Sequence, residues 1–237
     1  MYILSDQFAV DEVESNYVYF SGYKPAPLFE QMATAKRIFP QLESFDEGAA
    51  TKKLQPGAEG KFLIARWQEL APSYNQAVEI VLAVLSKESE RRFYNYRQDW
   101  LGQDFLRQTT KKAELFQMLG DEQKRHNVLV IDAQFGLRHR GKCVRRARDV
   151  MGTYEVGLGA FEIGFMLLTH PTRLQHLDEL WINAAGDEYA HLADGVFSHA
   201  PIFTVGLGGR GMNVINIGEP SPYSGSPSAF VELPLSE

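Results

Sequence analysis

The sequence predicts an α+β fold, with a helix-rich N-terminal half (residues 1–120) packed on a smaller, β-containing C-terminal half (residues 121–237) as one unit. Three observations predict it. Ala77, Ile80, Val81, Val84 and Leu85 recur at helical spacing behind a Ser73/Gln76 capping-box pair. Val128–Ile131 is a short β-branched run, the mark of a buried strand. Two further β-rich stretches, 201–205 and 212–217, flank a glycine-rich tip.

The elements follow in chain order. Tyr17, Val18, Tyr19, Phe20 and Tyr23 read as β or extended structure. Leu28, Met32, Ala35 and Phe39 mark a helix that Pro40 stops. Residues 44–60 are small, polar and charged, and read as an exposed, mobile loop. The Ser73 helix comes next, then a helix over about 101–119 with Gly120 as its C-cap. A short amphipathic helix is expected over 141–151. Thr172 and Gln175 repeat the capping-box spacing, and Leu174, Leu177 and Leu180 continue it as a helix. Residues 219–228 form an irregular tail, and the closing AFVELPL docks as an edge strand. A soft boundary falls near 120–127, with no segment long enough for a free linker.

Apolar residues make up 44% of the 237 and charged residues 23%, which excludes a disordered chain. A single cysteine, Cys143, excludes an internal disulfide and points to a reducing, cytoplasmic setting. The opening MYILSDQFAVDEVE has no basic stretch followed by an apolar one, so no secretory signal is expected. The longest apolar run, 157–168, is broken by Glu162 and falls short of the ~20 residues of a membrane span. It reads as core.

Charge is unevenly spread. Residues 121–150 hold 8 basic and 4 acidic side chains, whereas residues 151–237 hold 2 and 10. The basic island contains Arg138, Arg140, Lys142, Arg145 and Arg146. Helical spacing places Lys142, Arg145, Arg146 and Asp149 on one face, and Val144, Ala147 and Met151 on the other. Guanidinium groups offer bidentate donors to phosphate or carboxylate. An acidic protein, a phosphate-bearing ligand or a nucleic acid would fit such a face. A solvated helix face, or internal pairing with the acidic C-terminal third, is the plainer reading. The overall charge of −6, and the absence of zinc-finger or RNP sequences, stand against nucleic acid.

Cys143 sits inside the island. Its cationic neighbours would lower a thiol pKa, while the plain reading is a partly buried core residue. Asp187, Glu188, His191 and Asp194 lie together in AGDEYAHLADG. On a helix, Glu188, His191 and Asp194 would sit one turn apart, a set suited to acid–base work. A Glu-x-x-His metal site needs a second copy, which the chain lacks, so no metal or cofactor is expected. Glu162 is a lone carboxylate in an apolar run, which burial would make a weak acid. Gly206, Gly208 and Gly211 match G-x-G-x-x-G, yet a strand follows them instead of a helix, so they read as a hairpin tip.

The segments NVLVIDAQFGLRHRGKCVRRARDVM, GLGAFEIGFMLLTHPTRL and LWINAAGDEY resemble uncharacterised proteins carried on bacterial integrative and conjugative elements. The resemblance spans about a quarter of the chain. It implies a bacterial cytoplasmic protein encoded by mobile DNA, with no activity or site attached. Two functions are therefore carried forward. One is a non-catalytic interaction protein acting through the basic helix. The other is a small hydrolase or transferase that uses Asp187, Glu188 and His191 with the arginines as anion holders.

Overall fold

A computed structural model of the chain describes residues 11–20, 23–90 and 92–231. The fold is α+β, and helices dominate early while strands dominate late. The elements are α1 (Leu28–Ile38), α2 (Glu47–Thr51), β1 (Gly60–Ala65), α3 (Tyr74–Glu88), β2 (Phe93–Asn95), β3 (Leu106–Gln108) and α4 (Thr110–Glu122). They continue as β4 (Val128–Gln134), α5 (Val144–Val150), β5 (Glu155–Gly157), α6 (Ala160–Thr169), β6 (Trp181–Asn183) and β7 (Asp187–Tyr189). The last are β8 (His199–Gly206), β9 (Gly209–Asn216), β10 (Ser224–Gly225) and β11 (Ser228–Phe230).

Two sheets organise these strands. The first runs β1-β4-β11-β5. The second runs β10-β6-β8-β7-β3, with β9 also on β8 and β2 on β9. Each sheet draws strands from both sides of residue 120. The antiparallel β1–β4 ladder sets Phe62 opposite Ile131 and Leu63 opposite Val130. β4 is buried along its whole length, which explains a continuous apolar run in place of alternation.

Helix α6 is the centre of the core. All ten of its residues are buried, and α1, α3 and β1 pack around it. A helix covered on every side has no amphipathic stripe, so its period is hidden in the sequence. Gly164 lets α3 close on it: a Cβ there would lie 2.5 Å from Val81 Cγ1.

Several expectations hold. Ser73 caps α3, its hydroxyl accepting the Gln76 N–H at 3.3 Å. α1 ends at Ile38, before Pro40. The hairpin β8–β9 turns through Gly206 and Gly209.

Others are corrected. The helix expected over 101–119 begins only at Thr110, because Thr109 caps it and Leu106–Gln108 pairs as a strand with β7. Gly120 lies within α4, and the Arg66 guanidinium reaches its carbonyl at 2.6 Å. Residues 172–180 form no helix. Leu174 has φ of +61°, and the Glu179 carboxylate gathers the N–H groups of Leu174, Gln175 and His176 together with Arg173. The segment 44–60 contains α2, capped by Asp46. Residues 11–20 make only isolated bridges, Glu12 to Lys142 and Val18 to Glu179. β11 lies between β4 and β5 instead of at an edge. The end of AFVELPL lies outside the described residues.

His170, at the C-terminal end of α6, is 3% exposed among Tyr23, Phe62 and Phe135. Its Nε2 accepts the Ala26 N–H at 3.1 Å, which requires Nδ1 to carry the proton facing the Met166 carbonyl at 3.0 Å. Burial lowers its pKa to about 4. The unfolded chain therefore takes up a proton between about pH 6.5 and 4 that the folded chain refuses. Stability from this group is full above pH 6.5 and falls as pH drops toward 4, by up to about 3 kcal/mol. Urea unfolding at a series of pH values should show a smaller loss over that window in H170Q than in the parent.

Candidate functional site

A buried cluster of charged groups meets at the N-terminus of α6. Lys112 comes from α4, Glu162 from α6, Asp187 from β7 and Tyr74 from α3. The Lys112 ammonium donates to Tyr74 Oη at 2.7 Å, Glu162 Oε2 at 2.8 Å and Asp187 Oδ1 at 3.0 Å. Three protons meet three acceptors, so the ammonium is saturated. Tyr74 donates to Asp187 Oδ2 at 2.7 Å. The first turn of α6 adds the Ala160 N–H to Asp187 at 2.7 Å and the Gly159 N–H to Glu162 at 2.9 Å. Negative charge at a helix N-terminus is favourable. Gly159 is needed here because a Cβ would stand 2.3 Å from both Asp187 Oδ1 and Lys112 Nζ.

Burial raises the Glu162 pKa against the opposing pull of Lys112. The Tyr74 hydroxyl is pushed well up by burial and then by Asp187, so it stays protonated as a donor. The side chains of Lys112, Glu162 and Asp187 are at most 2% exposed. The arrangement is chemically rich but closed to substrate, and its hydrogen bonds are spent on holding four elements together.

The predicted acid–base set is not assembled. Residues 187–189 form a strand, not the helix that the spacing required. Strand alternation sends Asp187 into the buried cluster and Glu188 outward to Arg107, at 2.7 Å. His191 stacks on His199 with ring centroids 5.1 Å apart. Among the described residues no three His, Cys, Asp or Glu side chains form a metal-holding group.

The basic island is largely engaged within the molecule. Lys142 reaches Glu12 at 3.0 Å, and Arg146 reaches both Glu12 and Asp149. Arg145 pairs with Asp11 at 2.6 Å, and Arg138 with Glu155 at 3.2 Å. Arg140 touches the Tyr17 carbonyl at 3.4 Å. Most of these partners come from the N-terminal segment 11–20, not the acidic C-terminal third. Arg148 donates to the carbonyls of Ala185 and Asp187, fastening α5 behind the buried cluster. Cys143 caps α5, its sulfur accepting the Arg146 N–H, and burial pushes its thiol pKa up, against the lowering its neighbours suggested.

An open cleft of about 630 Å³ lies elsewhere, between α3 and the segment 93–99. Leu82, Ala83, Phe93, Tyr94 and Tyr96 are among the residues that line it. The two tyrosines are 47% and 62% exposed, with ring centroids 6.3 Å apart. Glu79 and Asp99 supply carboxylates, and among the described residues that line the cleft none is a cation. Arg97, the cation in this segment, is turned away onto Asn213 at 3.0 Å and over the Tyr189 ring. The volume is that of a small-ligand or side-chain pocket.

The chain matches no protein-family model, no curated protein and no solved structure. The site residues are therefore argued from this molecule's own geometry. Sequence reasoning missed Lys112, which looks like one more surface lysine of a polar helix. It also missed the cleft, although the aromatic spacing of YNYRQDW was a usable signal.

Replacing Lys112 with Met removes the one cation between two buried carboxylates. Loss of one partner from a buried ion pair typically costs roughly 3–5 kcal/mol. Chemical denaturation of K112M should show a loss of that order. A loss below about 1 kcal/mol would mean that the cluster is not ionised as drawn.

Proposed function

We propose that the chain is a non-catalytic binding protein whose working surface is the tyrosine-lined cleft between α3 and residues 93–99, and that its partner is basic. The observation that carries this reading is the pairing of two exposed tyrosine rings with two carboxylates in a cleft whose described lining contains no cation. A guanidinium or ammonium on a methylene stem matches both parts: the charge meets Glu79 or Asp99, and the stem lies along the rings. Each cation–π contact is worth about 0.5–1 kcal/mol at an exposed site. The net charge of −6 favours approach of a basic partner over an acidic one.

Two further facts support binding over catalysis. Asp187, Glu188 and His191 point to three different surroundings. Lys142, just before α5, and the α5 cations Arg145 and Arg146 face Asp11, Glu12 and Asp149, so this face presents little unmatched positive charge to an acidic partner.

Fluorescence anisotropy with labelled peptides tests the reading. An arginine-rich peptide should bind at least about tenfold tighter than its glutamate counterpart, and more weakly as salt rises. The double neutralisation E79Q/D99N should weaken it roughly tenfold. Asn suits position 99 because Asp99 has φ of +67°, a conformation it tolerates. Equal affinity for both peptides, or salt-independent binding of a neutral oligosaccharide in their place, would overturn the assignment.

A further inference from the structure

Three groups that carry or can take up positive charge converge on the second sheet, and none of them lines the cleft. Arg97 follows β2, His191 follows β7, and His199 opens β8. In the β7–β8 ladder Tyr189 stands directly opposite His199, so their side chains share one face of the sheet. The Arg97 guanidinium lies over the Tyr189 ring, 5.8 Å from its centroid. His191 stacks on His199 from the loop that joins the two strands. Arg97 and His199 are half-buried and His191 is exposed, so the cluster is open to solvent.

Arg97 is held in place. Its Nε donates to Asn213 Oδ1 at 3.0 Å, and its backbone N–H donates to Asn95 Oδ1 at 2.9 Å. Both Nη groups, a bidentate fork, are left without an acceptor among the described residues. His199 Nδ1 faces Ser198 Oγ at 3.0 Å, which leaves its Nε2 unspent, and His191 makes the ring contact alone. Among the described residues none of the three has an ion pair. The carboxylates nearest in sequence are used elsewhere. Glu188 holds Arg107 at 2.7 Å, Asp194 accepts the Val196 N–H at 3.0 Å, and Asp99 lines the cleft. Burial lowers the His199 pKa, and then His191 and Arg97 lower it further.

We propose that Arg97, His191 and His199 form a binding site for the doubly charged phosphate group of a phosphate monoester. The site is separate from the cleft and does not depend on the reading given to it. The guanidinium fork takes two oxygens of the anion, and imidazolium N–H groups take the remaining charge. A carboxylate or a phosphodiester brings one charge, whereas three cationic groups are matched better by two. The anion also relieves the repulsion among these groups. Binding therefore takes up protons and strengthens as pH falls.

The probe is sulfate, which keeps both charges between about pH 7.5 and 5.5, added at constant ionic strength to the full chain. The imidazole Cε1–H signals are followed by NMR. Sulfate should move the signals of both His191 and His199, raise the titration midpoint of His199, and bind at least about fivefold tighter at the lower pH. Acetate and dimethyl phosphate, each singly charged, should bind at least about tenfold more weakly. R97Q should abolish the response. H191Q changes only an exposed ring, and should weaken sulfate at least about threefold at the lower pH and flatten the pH dependence. Signals unmoved by sulfate at the lower pH, or sulfate binding that is the same in R97Q, H191Q and the parent, would overturn the site. Acetate or dimethyl phosphate binding as tightly as sulfate would overturn its assignment to a monoester.

Discussion

The contact on which the rest of the molecule depends is the Lys112 ammonium between Glu162 and Asp187. It joins α4 to α6 and β7, and Tyr74 brings in α3. Such a cluster is costly to desolvate, and it is tolerable only because each Lys112 proton has an acceptor and the first turn of α6 contributes two N–H donors. The result is positional. α6 cannot slide along its axis without breaking the contacts of Gly159 and Ala160, and β7 cannot shift by one residue without exchanging Asp187 for Glu188 in the core.

The same register explains the surface. With Asp187 inward, Glu188 must face solvent, where it holds Arg107. Arg148 reads the backbone of β7 from the other side and keeps α5 in place. Asp11 and Glu12 then cover the cations of α5. The most conspicuous charge in the sequence is therefore consumed in assembly. The Tyr94 and Tyr96 rings lie beside each other and against Gly209 and Gly211 of β9, yet remain largely exposed.

Legibility followed the kind of signal each element carries. α3 was readable because one face is core and one is solvent, and Ser73 marks its start. β4 was readable as a buried run. α6 was read only as core, because burial on all sides erases its period. The Thr172 capping pattern misled because Glu179, seven residues on, binds the same backbone N–H groups that a helix would have used. The site was hardest. Its residues were judged by sequence proximity, whereas Tyr74, Lys112, Glu162 and Asp187 converge from across the chain. Helical spacing for Glu188 and His191 failed because Gly186 and the β3 partner placed that segment in a sheet.

Edge protection gives the remaining step. β10 has only two residues, and β3 places the charged Arg107 at its middle. Short strands and charges are ordinary ways of blunting an edge. β2 is also short, and it carries Tyr94 in the middle and Tyr96 just beyond, beside a cleft whose described lining contains no cation. The carboxylates of Glu79 and Asp99 repel an acidic strand and a second copy of this acidic chain, and they attract a basic one. On the basic-partner reading proposed above, the charge on the cleft both discourages self-association of this acidic chain and selects the guest, so the two effects belong to one surface.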